Sequence, residues 1–184
     1  TVDSYVSDPA ARPETSTTGG GDWAQYPPYD WRRPVAGKSL SYLSPALTAN
    51  TAMVGPGSVD LWVRSSAAAT DLQVTLSEVR PDGKETYVQS GGLRGSVRKL
   101  DPTRLSVLQP VPTYATADVA PLPSGTFSLL RGEINPFAHV FRAGSKVRLI
   151  VTAPGGDRMA WRLATLPGTQ TNDAARSVGR PSSV

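Results

Sequence analysis

The chain has 184 residues, 17 prolines, 17 glycines and no cysteine, which excludes disulfide bonds, thiolate metal sites and a cysteine nucleophile. The net charge of +4 comes from basic residues scattered in pairs, whereas nucleic-acid binding needs a clustered basic stripe with interleaved aromatic residues. No apolar run reaches the roughly 18 residues of a membrane span. We therefore expect neither a nucleic acid nor a membrane as a partner, and the compartment, cytoplasmic or secreted, stays open.

Residues 1–36 show no regular periodicity and are rich in proline, glycine, serine and threonine. This composition predicts a linker or arm, and residues 37–184 are then the folded domain. Four aromatic residues lie within nine positions of the arm: Trp23, Tyr26, Tyr29 and Trp31. Because exposed aromatic clusters are unfavourable in water, we expect the arm to lie on a surface of this domain or of another one.

Short apolar runs that alternate with polar residues begin at residue 39 and predict half-buried strands. Residues 50–54 form one short run. In the next, Val59, Leu61 and Val63 share one face. Trp62 points to the opposite face and is predicted to be exposed or covered by a partner.

The clearest element is a hairpin over residues 71–90. Its turn is Pro81-Asp82-Gly83, in which proline presets φ and glycine accepts a positive φ. The Gly91-Gly92 pair is predicted to end the returning strand, and residues 93–98 to start another.

Five prolines between residues 101 and 125 predict a long excursion without strands. Further strands are expected over residues 126–134, 137–141, 146–153 and 159–165, with Val147, Leu149 and Val151 of the third of these facing inward. No segment shows a capped helical stripe. Eight or nine short strands indicate an all-β fold, a jelly-roll β-sandwich.

The residue pattern offers no catalytic centre, cofactor site or metal site. His139 is the single histidine, and no serine lies in a G-x-S-x-G frame, so a Ser-His-Asp site is not indicated. We expect His139 to pack at a strand end with a hydrogen bond to the backbone. Gly37-Lys38-Ser39 imitates a phosphate-binding loop, but Arg32 occupies the position of that motif's first glycine.

Three alternatives stay open at this point. Asp60 and Glu78 fall in predicted strands and could form a glycosidase pair, and loop carboxylates could hold calcium. The tryptophans could form a sugar-stacking platform, as in a carbohydrate-binding module, although packing is the favoured interpretation. They are Trp23, Trp31, Trp62 and Trp161.

An ordered set of motifs resembles the C-terminal domain of X-Pro dipeptidyl-peptidases and of cocaine-esterase-type (CocE/NonD) serine hydrolases. The matching motif residues are Pro81, Asp82, Gly83, Gly92, Leu93, Arg94, His139, Phe141 and Gly144. The leading segment resembles the family's linker through Asp8, Pro9, Pro13, Gly19 and Gly20. The chain departs from the pattern at Ser145, where members often have histidine, and at Gly21, Asp22 and Trp23.

The resemblance implies a galactose-binding-like jelly roll without catalytic residues or cofactor. The family's catalytic serine, aspartate and histidine lie on a preceding α/β-hydrolase domain, which would be the partner of this chain; a homo-oligomer is also possible. The resemblance further implies that Gly19, Gly20, Gly21 and Trp23 lie beside the substrate cleft. The departures leave peptidase, esterase and acylase activity open for the parent enzyme.

Overall fold

The computed structural model describes residues 2–8, 36–154 and 176–181, and the regular structure within these ranges is mostly β-strand. The strands are β1 (Val2–Ser7), β2 (Leu40–Leu43), β3 (Thr51–Ser65), β4 (Asp71–Val79), β5 (Glu85–Arg94), β6 (Ser128–Phe141), β7 (Lys146–Thr152) and β8 (Arg176–Pro181). Two single 3₁₀ turns, Gly95–Val97 and Thr116–Asp118, lie between β5 and β6.

The strands form two antiparallel sheets of four. The first sheet has the order β1-β8-β3-β6 and the second sheet the order β2-β7-β4-β5. The chain passes back and forth between the two packed sheets in this order, which is the arrangement of a jelly roll. The prediction of an all-β sandwich is confirmed.

The core between the sheets is made by alternate residues of the strands, as a period of two requires. In β3, Leu61 and Val63 are buried while Trp62 is exposed, which confirms the predicted faces of this strand. In β7, Val151 is buried in the core and Val147 and Leu149 pack against it, as predicted. Apolar burial of this kind stabilises the sandwich by about 25 cal/mol per Å².

The outer face of the second sheet is held together by polar side chains that cross all four of its strands. Arg148 of β7 donates to the hydroxyl of Ser41 in β2 at 2.9 Å and pairs with Glu85 of β5 at 3.0 Å. Glu85 also accepts a hydrogen bond from Ser77 of β4. Hydrogen bonds and an ion pair therefore order this face, and its centre is closed to solvent, since Ser77 and Ile150 are at most 2% exposed.

β3 and β6 are longer than the sequence predicts, because prolines inside the apolar runs do not end them. Residues 51–54 and 57–65 belong to one strand, as do residues 128–134 and 137–141. The register shifts between Gly55 and Gly57 of β3, opposite Pro136 of β6. The regular hydrogen bonds between strands are interrupted at a bulge, so proline, which has no backbone N–H to donate, is tolerated there.

The excursion between β5 and β6 is anchored at its base by Arg98. Its guanidinium donates to the carbonyl oxygens of Gly95, Ala120 and Pro121 at 2.7 to 3.2 Å. Leu122, near the end of the excursion, is buried in the core. The predicted absence of strands over residues 101–125 is confirmed, whereas the strand predicted over residues 93–98 is wrong, because β5 ends at Arg94 and a 3₁₀ turn follows.

Two sequence predictions concern the ends of the chain. Residues 2–7 lie in the segment expected to be an arm, yet they form β1 and pair with β8. The strand predicted over residues 159–165 falls outside the described residues. The division into an arm over residues 1–36 and a sandwich over residues 37–184 stays a prediction.

Gly91 lies where β5 of the second sheet closely approaches β6 of the first. β5 runs without interruption through Gly91 and Gly92, so the prediction that this pair ends the strand is wrong. A Cβ atom on Gly91 would overlap the backbone carbonyl of Glu133 in β6. The glycine is therefore required by the crossing of two backbones.

We predict that Gly91→Ala destabilises the fold by about 3 kcal/mol or more, because the methyl group meets backbone that cannot rotate away. Gly57→Ala is the matched control, since a Cβ there would have its nearest neighbour at an ordinary 3.5 Å. Urea unfolding of both variants measures the difference. Equal midpoints for the two variants would contradict the crossing as the reason for glycine.

Candidate functional site

The single histidine joins the two sheets at one end of the sandwich. His139 of β6 contacts Glu78 of β4 through Nε2 and Oε2 at 2.9 Å, and the Glu78 side chain is only 1% exposed. The backbone amide of Arg142 donates to the other oxygen of Glu78 at 3.0 Å. His139 therefore pairs with a carboxylate, which corrects the expected hydrogen bond to the backbone.

The surroundings of Glu78 favour its ionised form. Burial raises the pKa of Glu78, but the Arg142 amide and the side chains of Ser145 and His139 outweigh burial and hold the pKa below its ordinary value of 4.5. Hydrogen bonds to the charged form act in this direction. The pair thus stabilises the end of the sandwich at neutral pH.

Two family-motif turns meet beside this pair. Gly83 (φ +82°) closes the hairpin turn by donating its amide hydrogen to Arg80 O at 2.9 Å, and the Lys84 amide donates to the Asp82 carboxylate at 3.0 Å. Gly144 has a φ of +82°, and a Cβ atom there would lie 3.1 Å from Pro81. The glycines thus allow both turns to close and to pack together.

Phe141 belongs to the same group of motif residues. Its ring is fully buried and meets the His139 ring edge-on, with centroids 4.7 Å apart. Such aromatic pairs contribute packing energy beyond burial alone. The structure therefore brings six motif residues to one end of the sandwich: Pro81, Asp82, Gly83, His139, Phe141 and Gly144.

The remaining motif residues lie at the opposite end of the hairpin. Arg94 makes a bidentate ion pair with Asp71 of β4 at 2.9 and 3.0 Å. Gly92 and Leu93 pair with Gln73 and Leu72 in the same ladder. These residues fix the register at this end of the hairpin, as a bidentate pair with defined geometry does.

The two carboxylates considered as a glycosidase pair lie on different sheets. Asp60 points outward from the first sheet, where it pairs with Arg131 at 2.6 and 2.7 Å, whereas Glu78 points from the second sheet toward His139. The two carboxylates therefore do not form the glycosidase pair considered from the sequence. Within residues 2–8, 36–154 and 176–181, no group of three or more His, Cys, Asp or Glu side chains could hold a metal ion.

A further finding is an apolar surface, here called the exposed face, on the outside of β3 and β6. Trp62 and Leu129 are register partners on it, and Val54 and Val140 lie near its other end. The hydroxyl of Ser58, on the same side of β3, donates to the carbonyl of Val107, which brings the excursion over this face. Its members are Val54, Trp62, Val107, Leu129 and Val140.

The excursion carries additional exposed apolar residues on a braced backbone. Leu105 and Leu108 flank Val107 and are exposed, as is Tyr114. Tyr114 has a φ of +54°, a left-handed conformation that is unfavourable for a residue with a side chain. The backbone just before it is anchored by the bridge between Leu100 and Pro112.

Several residues named from the sequence fall outside the described ranges. Gly19, Gly20, Gly21 and Trp23, expected beside a cleft, are among them, as are Trp31 and Trp161. Trp62 is the tryptophan that the structure places, and it is half exposed on the exposed face. No helix in the described part of the chain is both long and apolar enough to cross a membrane.

Sequence reasoning missed the Glu78–His139 pair and the exposed face. The pair joins residues 61 positions apart, and a linear pattern carries no signal for that. The sequence does indicate single members of the exposed face, because Val54, Trp62 and Leu129 alternate with inward-facing residues of their strands. Only the register between β3 and β6 shows that these residues lie together.

We predict that Glu78→Gln lowers the stability at neutral pH by about 1.5–3 kcal/mol, the range for hydrogen bonds to charged groups. Because the pKa of Glu78 is lowered on folding, its contribution is present above pH 4.5 and is lost as the pH falls through the folded-state pKa. The variant should therefore lose less stability than the wild type on acidification below pH 4.5.

Thermal unfolding between pH 3 and pH 7 checks this expectation. Asp60→Asn serves as the control, because its ion pair with Arg131 is exposed and such pairs contribute little. A Glu78→Gln variant with the wild-type pH dependence would contradict the role of the buried pair.

Comparisons with known proteins identify the group to which this sandwich is related. Residues 2–180 match the family described as the X-Pro dipeptidyl-peptidase C-terminal non-catalytic domain. Proteins of Mycobacterium bovis and Mycobacterium tuberculosis, each named "Putative serine esterase", are 30% identical over 142 residues. The alignment covers 76% of this chain but only 22% of each relative.

Solved structures agree on the fold. A CocE/NonD family hydrolase from Staphylococcus aureus has a TM-score of 0.60 at 19% identity, covering 77% of this chain and 28% of that one. An α-amino acid ester hydrolase has a TM-score of 0.62 at 20% identity, covering 97% and 30%. An aminopeptidase from a Thaumarchaeota archaeon has a TM-score of 0.63 at 15% identity, covering 98% and 30%. At these identities the likeness shows the fold alone.

Proposed function

This chain belongs to the X-Pro dipeptidyl-peptidase C-terminal non-catalytic domain family, and we propose that it serves as the non-catalytic β-sandwich of a serine hydrolase. In this role it packs on an α/β-hydrolase domain and shapes the substrate cleft of that domain. The observation that carries the proposal is the family match. The chain also spans only about a fifth of the length of the mycobacterial relatives, which fits one domain of a longer enzyme.

The chemistry of the described residues supports a non-catalytic role. A hydrolytic triad needs a nucleophile whose proton is taken by histidine. The His139 ring instead lies between the two sheets, where it contacts the Glu78 carboxylate and the Phe141 ring. The nucleophile and its base would therefore be supplied by the α/β-hydrolase domain.

The leading segment is the proposed contributor to the cleft. Gly19, Gly20 and Gly21 would allow a backbone to approach a substrate closely, since glycine lacks a Cβ atom. Trp23 would supply a large apolar wall with one hydrogen-bond donor. The substrate class, peptide, ester or acylated amine, would follow from the cleft that both domains form.

We expect the 184-residue chain alone to hydrolyse neither p-nitrophenyl butyrate nor alanyl-prolyl-p-nitroanilide. When the α/β-hydrolase domain encoded upstream is included, we expect turnover of at least one of these substrates or of an acylated amine. Removing this chain from that enzyme should lower kcat/KM by at least about tenfold, because one wall of the cleft is lost. Trp23→Ala should raise KM more than it lowers kcat.

Two results would overturn the proposal. One is turnover by the isolated chain above the rate of a buffer control. The other is an α/β-hydrolase domain that keeps its full kcat/KM and thermal stability without this chain. Leu43→Ala, on the outside of the second sheet, is the control for a substitution away from the leading segment.

A further inference from the structure

The exposed face is unusually apolar for a surface in water. Val54 is 82% exposed, Val107 80%, Val140 55% and Trp62 50%. Single exposed apolar side chains are normal, but here they form two groups on one face, Trp62 with Leu129 and Val54 with Val140, and grouped apolar side chains mark an interaction site. An aromatic residue with aliphatic neighbours is also the composition found at the centre of protein interfaces.

The charges on the exposed face do not oppose an interface. Asp60 and Arg131, near its centre, neutralise each other in a bidentate pair. Arg64, at the Trp62 end, lies over the Phe127 ring at 4.9 Å from its centroid. These contacts leave the Arg64 cation available to a partner. Glu133 lies on the same side of β6, opposite Ser58, and is available to a basic side chain of the partner.

The dimensions of the exposed face fit a stable protein contact. Val54 and Trp62 are eight residues apart on β3, which corresponds to about 26 Å at the usual rise of a strand. A standard interface buries about 800 Å² on each partner, or a square with sides of about 28 Å. The face is therefore long enough to span a standard interface, and the excursion at Val107 widens it beyond the two strands.

The position of β1 shows where a preceding domain would be attached. Ser4 of β1 and Arg64 of β3 both pair with Gly179 of β8, so Val2 is level with Trp62. Two strand spacings separate β1 from β3, about 10 Å. A domain that precedes Val2 would thus be tethered beside the exposed face, which raises its effective concentration there.

We propose that the exposed face is the surface through which this chain docks on the α/β-hydrolase domain that precedes it. This inference rests on the proposed function and adds to it the surface of contact. Trp62 and Leu129 anchor one end of the contact, Val54 and Val140 the other, and Val107 extends it from the excursion. Leu43, on the outside of the second sheet, stays in solvent.

Cysteine labelling tests the docking surface directly, because this chain has no cysteine of its own. Val140→Cys probes the exposed face, and Leu43→Cys probes the outside of the second sheet at a similar exposure, 44% against 55%. Both variants are labelled with a maleimide in the 184-residue chain and in the enzyme that includes the α/β-hydrolase domain. Enzyme without the added cysteine supplies the background.

We expect both cysteines to react at similar rates in the 184-residue chain. In the complete enzyme, Val140→Cys should react at least about tenfold more slowly, because an interface core excludes solvent, and Leu43→Cys should keep its rate. Thermal unfolding of both variants confirms that each is folded.

The other outcomes separate the two proposals. Protection of Leu43→Cys instead of Val140→Cys would place the contact on the second sheet and overturn this inference, while the proposed function stands. Protection of neither would also overturn this inference, because the contact would then lie outside both sheet faces. Concentration-dependent protection of Val140→Cys in the 184-residue chain would assign the face to a second copy and overturn the inference.

Discussion

The close approach of β5 and β6 is the constraint on which the sandwich depends. These strands are the edges of different sheets, and they meet where Gly91 faces the backbone of Glu133. The Gln89 side chain reinforces the approach by donating to Pro136 O at 3.1 Å. One side of the sandwich is thereby closed, and this fixes which face of β6 points into the core and which points outward.

The outward face of the first sheet is a consequence of that closure. β5 covers the inner side of β6, so Leu129 and Val140 are left outside together with Trp62 and Val54 of β3. The outer faces of the two sheets differ in character. The second sheet has a connected polar network through Arg148 and Glu85, whereas the first has the apolar exposed face. This asymmetry is why we assign docking to the first sheet.

Local chemistry explains why much of the fold could be predicted from sequence. The period of two in β3 and the Pro81-Asp82-Gly83 turn are set by neighbouring residues, and the structure has both. Features that depend on distant partners could not be predicted. Gly91-Gly92 resembles a strand end until β6 is placed against it, and Pro136 resembles a break until the bulge is seen. The partner of His139 likewise depends on the register of two sheets.

The central claim is that a non-catalytic sandwich docks on a hydrolase domain through the exposed face. An experimental structure of the complete enzyme, with this chain and the domain that precedes it, tests the claim most directly. The account predicts that Val54, Trp62 and Val140 are buried against the α/β-hydrolase domain while Leu43 stays in solvent. A structure in which the exposed face remains in solvent, or is covered only by a second copy of this chain, would contradict it.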